Sequence, residues 1–380
     1  MISFELSKQQ KKLQQRMRLL AKDELRPYSL QLEKEPPGPM GARFRRILAE
    51  VRLNALIVPE EYGGQMIDRL TLAVVTEEIG YGCAGFACIW ASTVHAATTL
   101  LIGGTDDQKS RFLPLLLRPS GEVASYASTE AKGGSDSRAF ATEARLEKGG
   151  YVITGEKCPI INAGFASFYI VWAGDSTGKG RQGINAFVVP QGSTRMSFGP
   201  YHDKPGLRSA PTASISFDRV HVPESNLVGL PGSGYLLLSQ TVDMARAFVG
   251  AICVGLARAS MEEIVDFVRH RVTAGRPVIR NQGIRFTLAE MAVELEAARL
   301  LVWKASRLID LGLDYTWESS MAKLMASEVA VKITVEGTQL LGQKGYVEGS
   351  PMSKYHEDAL ALRMIVGTSQ IQKMIIASQF

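Results

Sequence analysis

The spacing of apolar residues changes twice along this chain of 380 residues, and that change limits the folds open to it. Residues 1–120 carry apolar side chains at helical intervals, residues 121–228 follow a period of two, and helical spacing returns over residues 229–380. A helix buries every third or fourth residue, whereas a half-buried strand buries every second one. We therefore predict an α+β fold with an amino-terminal all-α domain over 1–120, a central β-domain over 121–228 and a carboxy-terminal antiparallel helical bundle over 229–380.

Two features place the first helices. Residues 4–25 are amphipathic, and we expect that helix to end at Arg26-Pro27, because proline lacks the backbone N–H that an interior helical position needs. Residues 87–102 are almost wholly apolar, which indicates a buried helix. The pair Gly103-Gly104 is expected to end it.

Four segments of the central region are typical of β-strands, because their apolar residues follow a period of two between turn-forming residues. They are residues 150–154, 168–172, 184–189 and 214–218. In the carboxy-terminal region one helix carries an apolar stripe at steps of three and four, which indicates packing within the bundle. The stripe consists of Phe286, Ala289, Val293, Ala297, Leu300 and Trp303.

The composition, 46% hydrophobic and 21% charged, is typical of globular proteins. A net charge of +5 argues against nucleic acid as a partner and suits an acidic carrier protein. No run reaches the roughly 18 apolar residues that a membrane span needs, and we expect a cytoplasmic protein. We predict no metal site, and we expect the four cysteines to be buried thiols in a reducing compartment. They are Cys83, Cys88, Cys158 and Cys253.

A polar loop in the central region could bind a cofactor. Thr129 and Ser135 bracket Gly133 and Gly134. Glycines let backbone amides approach an acceptor closely, and hydroxyl groups can donate to flavin oxygens. The alternative is an ordinary polar turn between strands.

Six segments occur in a distinctive order and spacing. They are residues 58–64 (VPEEYGG), 77–80 (EEIG), 126–136 (YASTEAKGGSD), the set Arg271, Gly275, Pro277 and Gln282, residues 341–346 (LGQKGY) and residues 367–370 (GTSQ). Together they resemble the acyl-CoA dehydrogenase family over nearly the whole chain. The resemblance implies a carboxy-terminal four-helix bundle, FAD as the cofactor and an enzyme that acts on acyl thioesters.

The resemblance also implies which residues hold FAD. The residues expected around the isoalloxazine ring are Tyr126, Ala127, Thr129, Gly134, Ser135 and Ile161. Those expected to reach the FAD of a neighbouring subunit, or to close over it, are Arg271, Gln282, Gln339, Gly342, Thr368 and Gln370. A cofactor shared between chains implies a homodimer or homotetramer.

The residues expected to carry the chemistry depart from the family pattern. The family usually has a glutamate directly before Gly-Thr-Ser-Gln, and this chain has Val366. Some relatives place the glutamate on another helix, where this chain has Ala245. Pro159 and Ile161 replace a tryptophan and a threonine that lie beside the flavin in the family. Neither customary position therefore holds a proton acceptor.

The catalytic base consequently remains unknown, and Asp243 is a weak candidate for it. Its alternative role is a structural ion pair with Arg246. Ser135, Asp243 and Arg246 are the residues expected on the substrate side. His95 falls near the expected acyl pocket, where either a functional role or that of a core histidine is open.

These observations favour an FAD-dependent oxidoreductase that oxidises an acyl thioester by hydride transfer to flavin, without ordinary glutamate-dependent α,β-desaturation. One alternative is a biosynthetic oxidase of an acyl unit bound to a carrier protein, including hydroxylated units. Another is a structural subunit without a base in a heteromeric acyl-CoA dehydrogenase. The expected partners are an acyl-CoA or acyl-carrier-protein substrate and an electron-transfer acceptor.

Overall fold

The computed structural model describes residues 5–136, 140–175 and 183–380. Its amino-terminal part is helical, with a buried interior formed mainly by two of its longest helices. The helices are α1 Lys8–Leu20, α2 Arg26–Leu32, α3 Ala42–Glu50, α4 Arg69–Gly82, α5 Ala84–Gly103 and α6 Asp106–Phe112.

The predicted helix end at Arg26-Pro27 is wrong. A π-helical turn, Ala21–Leu25, joins α1 to α2, and the N–H of Arg26 bonds to the carbonyl of Ala21. Pro27 occupies one of the first positions of α2. An N–H is not needed there, so the chain stays helical to Leu32.

Helix α5 is the predicted buried helix, and it ends at Gly103 with Gly104 as its cap. It is the one helix among the described residues that is long and apolar enough to cross a membrane. Because 89% of that stretch is buried inside the protein, α5 serves as a core helix in this fold.

The central part is a sheet that contains all four predicted strand segments. Its strands, in the described part of the chain, are β1 Ala124–Ala127, β2 Glu143–Glu147, β3 Gly150–Ile161, β4 Phe168–Asp175, β5 Ile184–Pro190, β6 Met196–Phe198, β7 Thr212–Val222 and β8 Leu227–Val228. The strand order is β6-β7-β3-β2-β4-β5-β8, and β1 pairs with β4 in parallel. The short β1 therefore runs beside the buried part of β4, and the glycine loop follows at the carboxyl end of β1.

The carboxy-terminal part is a bundle of long helices with a small hairpin between the first two. The hairpin strands are β9 Val272–Thr273 and β10 Arg276–Pro277. The helices are α7 Gly234–His270, α8 Gln282–Asp310, α9 Thr316–Leu341, α10 Gln343–Tyr346, α11 Pro351–Leu362 and α12 Ser369–Ala377. Helices α7, α8, α9 and α11 pack against one another as the expected four-helix bundle.

The apolar stripe predicted on α8 does not face the bundle. Phe286 is 58% exposed and Val293 is 69% exposed. The buried face lies almost opposite and consists of Met291, Leu295, Ala298, Val302 and Ala305. Helix α8 therefore carries two apolar faces, and only one of them is covered by this chain.

Helix α7 joins the bundle to the amino-terminal helices. A side chain at Gly255 of α7 would lie 2.1 Å from the carbonyl oxygen of Glu77 on α4, so the two backbones touch. Beside this contact, Arg258 donates to Glu77 and Glu78, and Arg299 also donates to Glu77. These paired charges fix α4, α7 and α8 together, and α5 also packs against α7.

Candidate active site

The loop after β1 is anchored by a buried ion pair. The Lys157 ammonium, fully buried, donates to Glu130 at 2.7 Å and to the carbonyl of Ser128 at 3.3 Å. Glu130 also accepts the backbone N–H groups of Ala141 and Thr142. Burial lowers the pKa of Lys157 to about 8, although Glu130 opposes this. The pKa of Glu130 is lowered overall, because Lys157 and these donors outweigh its burial.

The residues expected beside the flavin ring come together where β1 and β3 end. The Cys158 N–H donates to the carbonyl of Thr129 at 2.9 Å, and the Ser125 hydroxyl donates to the carbonyl of Ile161 at 2.7 Å. Tyr126 and Ala127 lie on β1 itself, and Tyr126 stacks at a tilt on Trp172 at 4.4 Å between ring centroids. The structure thus brings Tyr126, Ala127, Thr129 and Ile161 to one region.

Gly133, Gly134 and Ser135 form the open edge of this loop. All three are exposed. Gly133 has a φ of 123°, a conformation that L side chains rarely adopt, and a side chain there would meet no atom within 4 Å. Beside it, Gly134 lies against the Thr129 side chain, which a β-carbon would approach to 3.4 Å. An accessible glycine turn flanked by hydroxyl donors suits the oxygens of a flavin ring.

The residues expected near a neighbouring subunit's cofactor lie at the ends of the bundle helices. Arg271 is the C-terminal cap of α7, and Gln282 is the first residue of α8, after the hairpin. Gln339 is in the last turn of α9, and Gly342, with a φ of 59°, ends that helix. All four are exposed. No carboxylate among the described residues pairs with the Arg271 guanidinium, which leaves it able to meet a phosphate. Together with the glycine loop, these residues fit a flavin dinucleotide.

Val366 lies in a tightly held loop between α11 and α12. The buried Lys323 ammonium donates to the carbonyls of Arg363 at 2.7 Å and Gly367 at 2.9 Å. The Gln372 side chain donates to the carbonyls of Val366 and Gly367 at 3.1 and 3.0 Å. Val366 is half-buried, and its φ is 57°, an unfavourable conformation for a β-branched residue. The loop thus imposes a conformation that its own side chain disfavours.

The two remaining cofactor positions follow this loop. Thr368 caps α12, where its hydroxyl accepts the N–H of Ile371 at 3.4 Å. Gln370 is exposed in the first turn of that helix. The hydroxyl of Thr368 can still donate, because a cap uses only its oxygen as an acceptor.

Ala245 borders a narrow cavity of ≈ 20 Å³ between α4, α5, α7 and α8. Its walls are Arg69, Leu72, Ala73, Val94, His95, Thr98, Thr241, Met244, Ala245, Ala247, Phe248, Ser306 and Ile309. Ala245 itself is 3% exposed. His95, the histidine of the core helix α5, thus lines the same cavity as Ala245.

Asp243 and Arg246 form a buried ion pair one turn apart on α7. One oxygen of Asp243 accepts from Arg246, and the other accepts from the Thr316 hydroxyl at 2.9 Å. Burial raises the pKa of Asp243, and Arg246 opposes that effect. With both oxygens engaged, Asp243 holds α7 to the start of α9. Neither residue lines the cavity at Ala245.

The sequence interpretation missed the two lysines that anchor these loops. Lys157 lies in a strand among alternating residues, and nothing in that pattern predicts a buried ammonium. Lys323 could have been recognised, since it is a charged residue in the apolar run Ala322 to Ala326 of α9. The expectation for the cysteines also needs correcting, because Cys158 is half-buried while the other three are buried. Cys158 follows the buried Lys157 on a strand, where neighbouring side chains point to opposite faces.

Comparison with known families covers almost the entire chain. Residues 7–120, 125–220 and 232–380 match the amino-terminal, middle and carboxy-terminal domains of acyl-CoA dehydrogenase. The chain is 36% identical over 377 residues to the mitochondrial short-chain specific acyl-CoA dehydrogenase of Rattus norvegicus, covering 99% of this chain and 90% of that protein.

Solved structures agree with this assignment. Butyryl-CoA dehydrogenase from Megasphaera elsdenii superposes with a TM-score of 0.94 at 30% identity, covering 100% of this chain and 99% of that one. The prolyl acyl carrier protein oxidase AnaB superposes with a TM-score of 0.91 at 26% identity, covering 99% of each chain. With its α–β–α architecture and its flavin loop, this chain belongs to the acyl-CoA dehydrogenase family, the FAD-dependent oxidoreductases that act on acyl thioesters.

Proposed function

We propose that this protein oxidises an acyl thioester without a carboxylate at either customary base position. The observation that carries the proposal is the pair Val366 and Ala245, because neither side chain can accept a proton. The nearby Glu328 carboxylate is bound by Arg363 and Ser369, which lie on either side of Val366. Asp243 is the nearest alternative along the sequence, and its two oxygens are occupied by Arg246 and Thr316. The substrate must therefore lose its proton to another group, or must be one whose oxidation does not need the usual α-proton removed.

Different residues hold the flavin loop and surround the acyl unit in this proposal. FAD supplies the hydride acceptor when it is bound. Lys157 and Glu130 hold the loop that presents Thr129, Gly134 and Ser135. The cavity at Ala245 is lined largely by aliphatic and aromatic side chains, such as Leu72, Val94 and Phe248, which limit the access of water to an acyl unit.

Anaerobic bleaching of the flavin tests this proposal. Butyryl-CoA, octanoyl-CoA and hydroxylated acyl-CoAs are mixed with the purified yellow protein, and absorbance is followed with time. We expect slow or absent bleaching with the saturated acyl-CoAs, because a positioned general base contributes about 10²–10⁴-fold in rate. Rapid bleaching with butyryl-CoA would show that an efficient base is present and would contradict the proposal.

A second candidate function is oxidation of an acyl unit tethered to a carrier protein. The structural neighbour described as a prolyl acyl carrier protein oxidase supports it, and the net charge of +5 suits an acidic partner. The test presents the same acyl unit on CoA and on a carrier protein at low and high salt. A preference for the carrier-bound unit that weakens with salt supports this function, and equal rates on both carriers contradict it.

We also propose that the chain assembles with copies of itself through the outer face of α8. Phe286 and Val293 expose large apolar surfaces there, and Gln282, expected to reach a neighbour's FAD, opens the same helix. Light scattering should give a multiple of the 41.4 kDa chain mass. We expect Phe286→Glu to shift the mass toward the monomer, whereas Leu146→Glu, on an exposed strand residue elsewhere, should not. A monomeric parent protein would contradict the proposal.

A further inference from the structure

His95 is a buried polar residue to which the proposed chemistry assigns no task. It lies in the middle of α5, is 8% exposed and forms part of the cavity wall beside Ala245. Its ring meets Tyr126 edge-on at 5.8 Å and Phe248 edge-on at 6.1 Å between centroids. Its Nε2 atom is buried and has no hydrogen-bond partner in the described part of the protein. An unpaired ring nitrogen in an apolar wall destabilises the folded chain unless something satisfies it.

Other polar groups also line this cavity, among them Thr98, Thr241, Ser306 and Arg69. The Thr241 hydroxyl lies 3.3 Å from the Thr99 hydroxyl behind it. Burial lowers the pKa of Arg69, and the Asp310 carboxylate, which accepts the Arg69 backbone N–H at 2.6 Å, opposes that effect. None of these groups forms a hydrogen bond with the Nε2 atom of His95 in the described part of the protein.

The cavity has room for little more than one water molecule in this conformation. Much of its wall is aliphatic or aromatic, formed by residues such as Leu72, Ala73, Val94 and Phe248. A saturated acyl chain would pack against these walls but leave the Nε2 atom of His95 without a hydrogen bond. An acyl chain with one hydroxyl group would pack against the walls and could also bond to this nitrogen.

We propose that His95 recognises a hydroxyl group on the acyl unit, so that the preferred substrate is a hydroxylated acyl thioester. This inference rests on the proposed function, since it assumes that the cavity at Ala245 receives the acyl unit. A neutral imidazole can either donate to or accept from a hydroxyl group, depending on its tautomer.

The electrostatics of the site support a neutral ligand group. Burial lowers the pKa of His95 to about 3, so the ring is uncharged at neutral pH. An uncharged ring does not attract a carboxylate, and Asp310 already supplies negative charge to the surroundings of Arg69. A hydroxyl group can bond to the unpaired Nε2 atom without placing a charge against the aliphatic and aromatic residues beside it.

The test measures dissociation constants from perturbation of the flavin spectrum under anaerobic conditions. The probes are butyryl-CoA, 3-hydroxybutyryl-CoA and 4-hydroxybutyryl-CoA, which differ only in the hydroxyl group. We expect the parent protein to bind at least one hydroxylated probe ~10–100-fold more tightly than butyryl-CoA, because a site built around a hydrogen bond rejects the analogue that lacks it. We expect His95→Leu to lose this preference and His95→Gln to keep part of it.

Two controls make the result decisive. His356→Leu removes a half-buried histidine of α11 outside the cavity and should leave the preference unchanged. If His95→Leu does not retain flavin, the dissociation constants of the parent protein alone test the inference. A parent protein that does not prefer either hydroxylated probe over butyryl-CoA overturns it. An equal preference in the parent and in His95→Leu also overturns it and leaves His95 as a core residue that binds water. If none of the probes perturbs the flavin, the proposed function itself fails.

Discussion

Two loops of this protein are each anchored by a buried lysine, but they differ in the chemistry of the side chains that they carry. The loop after β1 is held by Lys157, and the loop before α12 is held by Lys323. Both ammonium groups are fully buried, and burial lowers the pKa of each to about 8. Lys157 has the carboxylate of Glu130 as its partner, whereas the partners of Lys323 in the described part of the chain are the carbonyls of Arg363 and Gly367.

The difference separates cofactor binding from proton transfer. The first loop carries Thr129 and Ser135, which are expected to meet the flavin. The second is anchored just as firmly and has a strained backbone, but it carries the inert side chain of Val366. A well-anchored loop therefore does not by itself supply a proton acceptor.

Restoring a carboxylate to the second loop should have the largest effect. Val366→Glu is expected to raise the rate of flavin reduction by butyryl-CoA by about 10²–10⁴-fold, because position 366 would then hold a general base. Stopped-flow absorbance under anaerobic conditions measures this rate. Val347→Glu, at an exposed loop valine, is the control and should leave the rate unchanged. A variant with normal flavin content and no gain would show that position 366 does not face the reacting carbon.

Breaking the anchor of the first loop should destabilise the protein most. Lys157→Met leaves Glu130 buried without its cation, which is expected to cost ~3–5 kcal/mol in the free energy of unfolding and to reduce bound flavin. Urea denaturation and the flavin-to-protein absorbance ratio measure the two effects. Lys148→Met, at an exposed lysine near the start of β3, serves as the control. Unchanged stability in Lys157→Met would mean that Glu130 gains another partner.

Breaking the anchor of the second loop should cost less. Lys323→Met removes a donor from two carbonyls but leaves no carboxylate unpaired, so we expect a loss of ~1–3 kcal/mol. The same denaturation experiment measures it, with Lys332→Met on the exposed side of α9 as the control. A loss as large as that of Lys157→Met would remove the distinction between the two anchors.

The cost of Lys323→Met should also depend on pH. The folded pKa of Lys323, about 8, lies below its ordinary value of 10.5, so the unfolded chain binds the extra proton between these values. The stability that Lys323 contributes is therefore fully present above pH 10.5 and is lost as the pH falls through about 8. Denaturation at pH 7, 8 and 9.5 should show the difference between the parent and Lys323→Met growing with pH. A difference that is constant over this range contradicts the lowered pKa.

Relieving the backbone at Val366 should have the smallest effect. Val366→Asn is expected to stabilise the protein by about 1 kcal/mol, because asparagine tolerates a positive φ better than a β-branched residue does. Thermal unfolding checks this against Val347→Asn, which has an ordinary extended backbone. Destabilisation by Val366→Asn would show that the packing of the valine outweighs its strain.

The spacing of apolar residues along the sequence predicted the elements in which that spacing follows one regular pattern. The apolar run of α5 and the alternating segments of β3, β4, β5 and β7 needed no knowledge of their neighbours. Strand β2 could not be recognised in this way, because Glu143, Arg145 and Glu147 are exposed and it gains its pairing from β3 and β4. Helix α8 has two apolar faces. Its apolar spacing alone therefore cannot show which face packs against the rest of the same chain.

For the site, motif order indicates which segments of the chain are expected to meet the flavin, and that remains a prediction. Contacts across the fold show how the other side chains are held. The ion pair of Asp243 was one of two open roles, and only the hydroxyl of Thr316, far away in sequence, occupies its second oxygen. His95 could likewise be a core residue or a functional one until its position beside Ala245 was known.

The amino-acid sequence by itself determined the α–β–α order, the position of the glycine loop and the absence of glutamate at positions 245 and 366, because periodicity and residue identity are properties of the chain alone. The tertiary structure decided which lysines hold the loops, which face of α8 stays exposed and which nitrogen of the cavity lacks a partner. Burial and hydrogen bonding depend on groups that are distant along the chain, and only the folded protein brings those groups together.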